Sequence, residues 1–512
     1  AGNLCGIWHH GGRQRADSAQ RRIWQHDQGI DAGSESVIRM RQEWICRAEA
    51  LHIFFARGHA ISDICLNDRN GGVDMPEYRN VTASLKENTA YVNEILPVQE
   101  SFDIVQRNMM IGGREAAFFF VDGFTKDESM LKIMDSMMSI TEEDMPKSAT
   151  AFSKSHIPYV EVDILVGFDQ IFHNILSGTT ALFIDGYEGC FIIDCRTYPA
   201  RSVDEPDKDK ALRGSRDGFV ETIVFNTALM RRRIRDPHLI MKMMQVGEST
   251  GTDVAVCYME DRVDPELLKK LLRKISQIRI DALRMNQQSL AECLMKRKWY
   301  NPFPKFKYTE RPDTAAVCLL EGKIVIMVDN SPSAMILPTS IFDIVEEAND
   351  YYFPTLTGVY LKISRGLIAF MTVFLTPLYL LFMQNPQWLP EKFEFVAVRD
   401  MVNVPLIWQL LILELAIDGL RLAAMNTPNM LSTPLSVIAG LVLGEFSVSS
   451  GWFNSEIMLA MAFVSVANYT QPNFELGYAL KFMRLQLLIL TAILNWAGFV
   501  LGVLVVVGSI CF

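Results

Sequence analysis

A sharp division between a charged part and an apolar part restricts the folds open to this chain. From Arg365 to Phe512 there are only six basic residues, whereas the stretch from Met75 to Lys362 is as charged as a cytosolic enzyme. The run Gly366–Gln384 holds 19 residues without a charge, close to the ~20 residues that cross a bilayer core as a helix. The division predicts a soluble region followed by an α-helical, multi-pass membrane domain.

Charge and cysteine content narrow the class of protein. The formal net charge of -10 is opposite to the basic field typical of nucleic-acid-binding proteins, so we expect no nucleic-acid partner. Nine scattered cysteines without a CxxC pair indicate free thiols in a reducing compartment. Five basic residues beside the apolar segments would lie on the side of the soluble region and two on the other. By the positive-inside rule this distribution predicts a cytoplasmic soluble region.

Residues 1–74 differ from the rest in composition. They carry nine arginines and no lysine, show no sustained periodicity and lack the apolar core of a signal peptide. We expect this stretch to be a non-native or disordered N-terminal extension, translated upstream of the natural initiator Met75. The alternative is a basic N-terminal arm.

The first half of the soluble region has the pattern of an α/β unit. The apolar run 116–121, closed by Asp122-Gly123, predicts a buried strand and a turn. Residues 128–139 follow with helical spacing, and 181–195 contain two apolar runs joined through glycines, which predict a hairpin.

The second half repeats this order about 135 residues later. A strand is predicted at 253–259, and Asp264-Pro265 supplies an N-cap and an N1 proline for a helix. A second hairpin is predicted from 317–320 and 324–328. The pattern predicts two similar α/β subdomains with mixed sheets. The domain boundaries that follow are 75–235 for the first subdomain with a linking helix, 236–360 for the second, and 361–512 for the membrane domain.

An arginine-rich stretch connects the two subdomains around a predicted helix at 220–230. Its arginines are Arg213, Arg216, Arg231, Arg232, Arg233 and Arg235. One interpretation is a solvated helix end, because cations are favourable at a helix C-terminus. The other is an inter-subunit contact or a contact with acidic lipid headgroups at the membrane surface.

The search for catalytic motifs gives no persuasive constellation. Gly247–Gly251 matches the G-x-S-x-G pattern, whose serine needs a strand before it and a helix after it. Here a helix-like run, 239–246, precedes the motif and a strand follows, which predicts an ordinary loop. The histidines lack metal-ligand spacing. We therefore expect a protein that is not an enzyme and needs no cofactor or metal.

The apolar segment 404–420 contains two acidic residues. Glu414, Asp418 and Arg421 share one helical face because their spacings are four and three. An acidic side chain at a membrane helix centre costs roughly 2.5–3.5 kcal/mol, so this face should point at other helices or at water. It could line a pore, or one acid could pair with Arg421 between packed helices.

The remaining hydrophobic segments bring the predicted total to about five. The segment 434–446 contains Gly440 and Gly444 in a GxxxG pattern that permits close helix packing. Two more apolar segments are 456–470 and 485–512. The chain stops inside the last one, which is either a true end or a truncation.

Several separate motifs together carry a resemblance to a known family. They are Val404–Trp408 with Glu414–Arg421, Asn426-Thr427-Pro428 before Pro434–Gly444, and Arg216–Glu221 with Asn226–Leu229 and Arg231–Pro237. In these residues the chain resembles the GerA spore germination family, in particular its A-type subunit. The likeness covers roughly Glu100 to the end, whereas residues 1–74 have no family counterpart and the family's short C-terminal tail is missing.

The resemblance implies a multi-pass protein of the spore inner membrane with a cytoplasmic α/β region. It implies a homo-oligomeric ion channel that releases monovalent cations at germination and works with other germination membrane proteins. The polar residues placed within this membrane domain, as pore candidates, are Glu414, Asp418, Arg421, Asn426 and Asn468. The alternative function is a non-conducting scaffold that organises germinant receptors.

Overall fold

The computed structural model describes most of the chain from residue 78 onward. The described residues are 78–198, 214–295, 301–347, 349–389, 392, 397, 404–426, 440 and 446–511. The predicted extension 1–74, Arg213, Gly444 and most of the segment 434–446 lie outside them.

The first unit of the soluble region is an α/β unit built on one antiparallel sheet. Its described elements are α1 (Leu85–Ile95), β1 (Ile104–Ile111), β2 (Arg114–Val121), α2 (Asp127–Met138), α3 (Ala149–His156), β3 (Val162–Leu165), α4 (Phe168–Leu176), β4 (Thr180–Ile184) and β5 (Cys190–Ile193). The strand order in the sheet is β1-β2-β4-β5-β3.

The second unit repeats these elements in the same order. They are α5 (Ile223–Arg233), β6 (Leu239–Val246), β7 (Thr252–Met259), α6 (Pro265–Ser276), α7 (Asn286–Leu294), β8 (Lys307–Thr309), α8 (Pro312–Leu320), β9 (Ile324–Val328) and β10 (Ala334–Leu337). The sheet order β6-β7-β9-β10-β8 matches that of the first unit strand for strand. The predicted pair of similar subdomains is confirmed. The prediction of mixed sheets is wrong, because every described strand pair is antiparallel.

The same pair of hydrogen bonds is found at the start of the first helix in both units. The Asn88 amide Nδ2 donates to the Thr82 carbonyl oxygen over 2.6 Å, and Asn226 Nδ2 donates to the Val220 carbonyl oxygen over the same distance. Each asparagine Oδ1 also accepts from the backbone N–H of that same partner. In both units a buried asparagine thus holds the segment before the first helix, α1 or α5, with the same two hydrogen bonds.

Two predicted elements differ from the observed ones. Leu239–Val246 is the strand β6 and not a helix, because it pairs with β7 along its whole length. Val317–Leu320 is the last turn of α8, which starts at Pro312 and ends before Gly322, whose positive φ suits a helix end. The hairpin is formed by β9 and β10 instead. Gly247–Gly251 lies between two strands, so the helix that a nucleophile elbow requires is missing.

Each sheet is buried between two layers of helices. In the first unit α1 and α4 cover one face and α2 and α3 cover the other. In the second unit α5 and α8 cover one face and α6 and α7 the other. Sheets with both faces covered have apolar residues on both faces, as in the fully buried strands β4 and β9.

Two short helices, α9 (Ile341–Val345) and α10 (Asn349–Tyr352), lead from the second unit into the long apolar helix α11 (Thr355–Gln384). Ion pairs fasten this junction to α11. Arg365 Nη1 donates to Asp350 Oδ2 over 2.7 Å, and Lys362 Nζ donates to Glu346 Oε1 over 2.6 Å. Both Arg365 and Asp350 are buried. The start of α11 is therefore fixed to the junction by charge as well as by chain connection.

Other polar contacts fasten the junction to the second unit. Lys323 Nζ lies 2.7 Å from Asp343 Oδ1, and the Tyr352 hydroxyl donates to Asp313 Oδ2 over 2.5 Å. Burial raises the pKa of the Asp313 carboxyl, but hydrogen bonds from Arg311 and Tyr352 outweigh it, so that the net pKa is lowered. The Asp313 carboxylate is thus held in its charged form against α10.

The apolar part of the chain forms helices as predicted where the structure describes it. After α11 come α12 (Leu406–Asn426), the single turn α13 (Ser447–Ser449), α14 (Ser455–Tyr469) and α15 (Phe474–Cys511). Two described helices, within 356–384 and 474–510, are long and apolar enough to cross a membrane. Their length and composition support membrane association.

The final helix α15 is a hairpin of two arms. Asn495 breaks it with φ 53° and ψ -132°. A Cβ atom on Gly498 would collide with the Leu490 carbonyl oxygen, and one on Gly502 would collide with the Leu487 side chain. In a straight helix, residues eight apart are separated by about 12 Å, so the second arm must fold back along the first. The run 485–512 is therefore not the single segment that its composition predicts.

We expect Gly498→Ala to separate the two arms of α15 and lower the thermal stability of the protein in detergent, because the added methyl group has no room beside Leu490. Gly508→Ala is the matched control, since a Cβ there meets nothing within 4 Å. Thermal unfolding followed by intrinsic fluorescence measures both. Equal midpoints for the two variants would contradict the close approach of the arms.

Candidate functional site

The face of α12 that carries Glu414, Asp418 and Arg421 points into the helix bundle, as their spacing predicts. Glu414 is 4% exposed and Arg421 is 8% exposed, whereas the Asp418 side chain is 33% exposed. The acids are thus not equivalent, because Asp418 alone retains substantial access to the outside of the bundle.

Glu414 pairs with an arginine from the first arm of α15. Arg484 Nε donates to Glu414 Oε1 over 2.6 Å and Arg484 Nη2 donates to Glu414 Oε2 over 2.9 Å. Arg484 Nη1 donates to the Thr372 carbonyl oxygen of α11 over 3.0 Å. This two-pronged pair is a strong form of charge-assisted hydrogen bonding. One guanidinium therefore ties together α11, α12 and α15.

Asp418 pairs with a lysine one turn earlier on the same arm. Lys481 Nζ contacts Asp418 Oδ2 and lies 3.6 Å from Glu414 Oε2. Lys481 is itself 5% exposed. The two acids of α12 and the two bases of α15 form one network, which we call the charge cluster.

Arg421 lies apart from the acids. Its guanidinium carbon is 4.9 Å from the ring centroids of Tyr469 and Tyr478 and 5.7 Å from that of Phe474. Such contacts are attractive because the ring faces are electron-rich. The expected alternative of an acid paired with Arg421 is therefore wrong: aromatic rings from α14 and α15 surround Arg421, and Lys481 and Arg484 neutralise the acids.

The four residues of the charge cluster line a polar cleft. Its lining includes Asp418, Lys481, Ser465, Asn468 and Tyr469. Asn468 Oδ1 is buried and has no hydrogen-bond donor within the part of the chain that the structure describes. Gln471 Oε1 likewise lacks a donor there, and Gln471 Nε2 lacks an acceptor. Buried polar atoms without partners are costly. The predicted polar residue Asn468 thus faces the same cleft as Asp418.

The other predicted membrane residues are not brought to this cleft. Asn426 is the last residue of α12 and is exposed. Gly440 is exposed, and a Cβ added to it would meet no described atom within 4 Å. Its partner Gly444 lies outside the described residues. The predicted pore role of Asn426 and the predicted packing role of Gly440 and Gly444 stay predictions.

The charge cluster joins α11, α12 and α15 and so suits cohesion of the helix bundle. The carboxylates of Glu414 and Asp418 face the two cationic side chains of Lys481 and Arg484, so the site does not present an unbalanced acidic surface. Among the described residues no group of three His, Cys, Asp or Glu side chains is placed to hold a metal ion.

In the soluble region the arginine-rich stretch divides into buried and exposed members. Arg231 is fully buried, and its Nε donates to Asp103 Oδ2 over 2.7 Å. Arg231 Nη2 also donates to the Leu239 carbonyl oxygen over 2.8 Å, and Nη1 donates to that of Asp236 over 3.0 Å. Arg231 thus joins the first unit to the second. Its predicted contact with a membrane surface or another subunit is wrong, because no part of the side chain reaches solvent.

Three neighbouring arginines make local contacts. Arg232 is exposed and stacks 4.5 Å from the Tyr198 ring centroid. Arg233 pairs with Asp217 over 2.5 Å, and the exposed Arg235 donates to Ser177 Oγ over 3.2 Å.

Arg216 is exposed, and Arg213 lies outside the described residues. A contact of Arg213, Arg216, Arg232, Arg233 or Arg235 with a partner stays a prediction.

The basic half of the charge cluster was the part that sequence reasoning missed. In the sequence analysis Lys481 and Arg484 are two of the five basic residues that indicate orientation, and nothing there predicts their pairing with the acids. The sequence does contain a signal for these two bases. They lie three residues apart beside an apolar run and so share a helical face. A charge balance between the acids of one membrane segment and the bases of another would have suggested the pairing.

Comparison with known proteins shows the family to which the chain belongs. The family model described as Bacillus/Clostridium GerA spore germination protein matches residues 91–512. The chain is 35% identical over 440 residues to stage V sporulation protein AF of Bacillus subtilis (strain 168), covering 85% of this chain and 89% of that protein. It is 25% identical over 438 residues to spore germination protein KA of the same organism, covering 84% and 80%.

One solved structure is also similar. It is the N-terminal domain of the A subunit of the Bacillus megaterium spore germinant receptor GerK3, with 24% identity and a TM-score of 0.40 over 51% of this chain and 97% of that one. The match of the family model over most of the chain and the 35% identity to stage V sporulation protein AF show the family. The chain is a member of the GerA family of spore germination proteins.

Proposed function

We propose that this GerA-family protein is a subunit of a homo-oligomeric ion channel that releases monovalent cations from the spore at germination. It would span the spore inner membrane several times, with its two α/β units on the cytoplasmic side and other germination membrane proteins as partners. We propose no enzymatic role.

The observation that carries the proposal is the charge cluster beside a polar cleft between apolar helices. Ionisable side chains inside membrane segments are expensive and are typical of ion pathways. Asp418 supports this role best, because its carboxylate is one-third exposed and shares the cleft with Asn468. Glu414 is enclosed by Arg484 and suits a stabilising role.

The pairing of the acids refines the expected mechanism. A ring of free carboxylates would favour cations directly, but Lys481 neutralises Asp418 in the present conformation. We propose that opening separates Asp418 from Lys481, so that the carboxylate then faces the ion path. The closed conformation would carry no net acidic field.

We test the proposal with purified protein reconstituted in planar bilayers. We expect the wild-type protein to pass potassium current, and Asp418→Asn to lower the cation-to-anion permeability ratio because it removes the accessible carboxylate. Glu188→Gln, which alters an exposed acid in the turn between β4 and β5, is the control and should leave the ratio unchanged.

Two outcomes would count against the channel. Absence of current from correctly assembled wild-type protein would favour the alternative of a non-conducting scaffold, which the neutral pairing of both acids would also suit. Current with an unaltered permeability ratio in Asp418→Asn would remove Asp418 from the pathway.

A further inference from the structure

The helices α2 and α6 occupy the same place in the two units but carry opposite charge. Each has 12 residues, follows the first hairpin of its unit and covers the same face of its sheet. At the ninth position Asp135 in α2 corresponds to Arg273 in α6. The two helices thus share their place in the fold, while their outer surfaces differ in the sign of their charge.

The charge difference extends to the flanking residues. The stretch 126–147 exposes six acidic and three basic side chains, whereas 264–284 exposes three acidic and six basic ones. Glu128, Asp135, Lys269 and Arg273 are all exposed, and none has an ion-pair partner among the described residues. The two surfaces therefore offer equal and opposite excess charge.

The surface of α2 also carries exposed apolar side chains. Leu131 is 70% exposed and Met138 is 71% exposed. They are seven residues apart and so lie on one helical face, beside Asp135. Large apolar groups ringed by charge are typical of protein interfaces, which combine an apolar centre with a polar rim.

We propose that the acidic, apolar face of α2 packs against the basic face of α6 in a second copy of this chain. The proposal rests on the homo-oligomer of the proposed function and identifies a contact between its subunits. Within one copy the two helices belong to separate cores on different sheets, so we assign the contact to neighbouring copies. A contact between two different surfaces of the same chain is head-to-tail and closes into a ring when the rotation allows.

A second copy explains more than a lipid surface does. Anionic headgroups would attract the basic face of α6. They would leave unexplained the acidic charge of α2 and the exposure of Leu131 and Met138. A neighbouring copy accounts for both surfaces with one contact.

Charge reversal tests this contact in the full-length protein. One variant reverses α2 with Glu128→Lys and Asp135→Lys, a second reverses α6 with Lys269→Glu and Arg273→Glu, and a third combines all four changes. We measure the mass of each in lipid-free detergent by analytical ultracentrifugation over a range of concentrations. Lys86→Glu with Glu94→Lys, on the exposed side of α1, is the matched control.

We expect each single-helix reversal to raise the dissociation constant of the oligomer at least about tenfold, because like charges then face each other. The combined variant should return to within about threefold of wild type, since the attraction is restored with the signs exchanged. Misfolding cannot imitate this pattern, because a variant with all four changes would then be worse than either pair.

Other results would overturn the contact. They are a wild-type protein that stays monomeric, reversals that leave the mass unchanged, or failure of the combined variant to recover. If reversal of α6 matters only in nanodiscs containing phosphatidylglycerol, and the combined variant does not recover there, the basic face binds lipid instead.

Current measured after the same proteins are reconstituted in planar bilayers distinguishes this proposal from the channel proposal. A wild-type oligomer that depends on α2 and α6 but passes no current refutes the channel and retains the contact. Current together with unchanged oligomer mass in the reversed variants refutes the contact and retains the channel.

Discussion

Replacement of Arg484 by methionine is expected to reduce the folded yield of the apolar helix bundle more than any other single change in the charge cluster. The change leaves the Glu414 carboxylate buried at 4% exposure without its two-pronged partner. Breaking a buried ion pair by removing one partner costs about 3–5 kcal/mol. The measurement is the fraction of protein recovered as a single folded species in mild detergent, together with its thermal midpoint.

Two further variants separate loss of charge from loss of packing. Arg484→Lys keeps the charge but not the fork geometry, so it should fall between wild type and Arg484→Met. Combining Arg484→Met with Glu414→Leu should recover most of the stability, because an apolar pair can replace a buried ion pair at little cost. If the double variant is less stable than Arg484→Met, the pair is not the source of the loss.

In the soluble region the largest effect is expected at Arg231. Arg231→Met removes the partner of the buried carboxylate of Asp103 and releases the carbonyl oxygens of Asp236 and Leu239. A loss of about 3–5 kcal/mol should follow. For a region of this size that corresponds to a fall in the thermal midpoint of roughly 10 °C.

The neighbouring Arg232 is a matched control for Arg231. It is an arginine on the same turn of α5, but it is exposed and only stacks on Tyr198. Arg232→Met should cost about 1 kcal/mol or less. Equal losses at the two positions would contradict the assignment of Arg231 as the residue that joins the two units.

Much of the soluble fold was predictable because its signals are local. The strand at 253–259 and the helix that Asp264 and Pro265 open are set by residues adjacent in sequence, and the structure confirms both. The repeat of elements was predictable for the same reason. The sheets were predicted wrongly as mixed, since strand direction depends on which strands meet across the fold.

The mistaken helix at 239–246 has a physical cause. Its run of leucine, isoleucine and methionine suits a buried helix as well as a strand, and pairing with β7 decides between them. The composition of the run alone therefore does not decide between the two, although its partner β7 follows directly along the chain.

The candidate site also combines features that the sequence predicts with features that it does not predict. The common face of Glu414 and Asp418 follows from helical spacing and was predicted. Their partners Arg484 and Lys481 lie on another helix, and the aromatic surroundings of Arg421 come from two helices. Such contacts are fixed by packing between helices, which one sequence does not specify.

The position of α11 has a mechanical consequence. Near its start Arg365 is fastened to Asp350 at the junction, and about 10 Å further along the helix axis the Thr372 carbonyl oxygen accepts from Arg484. A hydrogen-bonded helix is stiff over two turns, so a twist or tilt applied at Arg365 is delivered at Thr372 with little loss. α11 thus forms a stiff connection between the junction and the charge cluster.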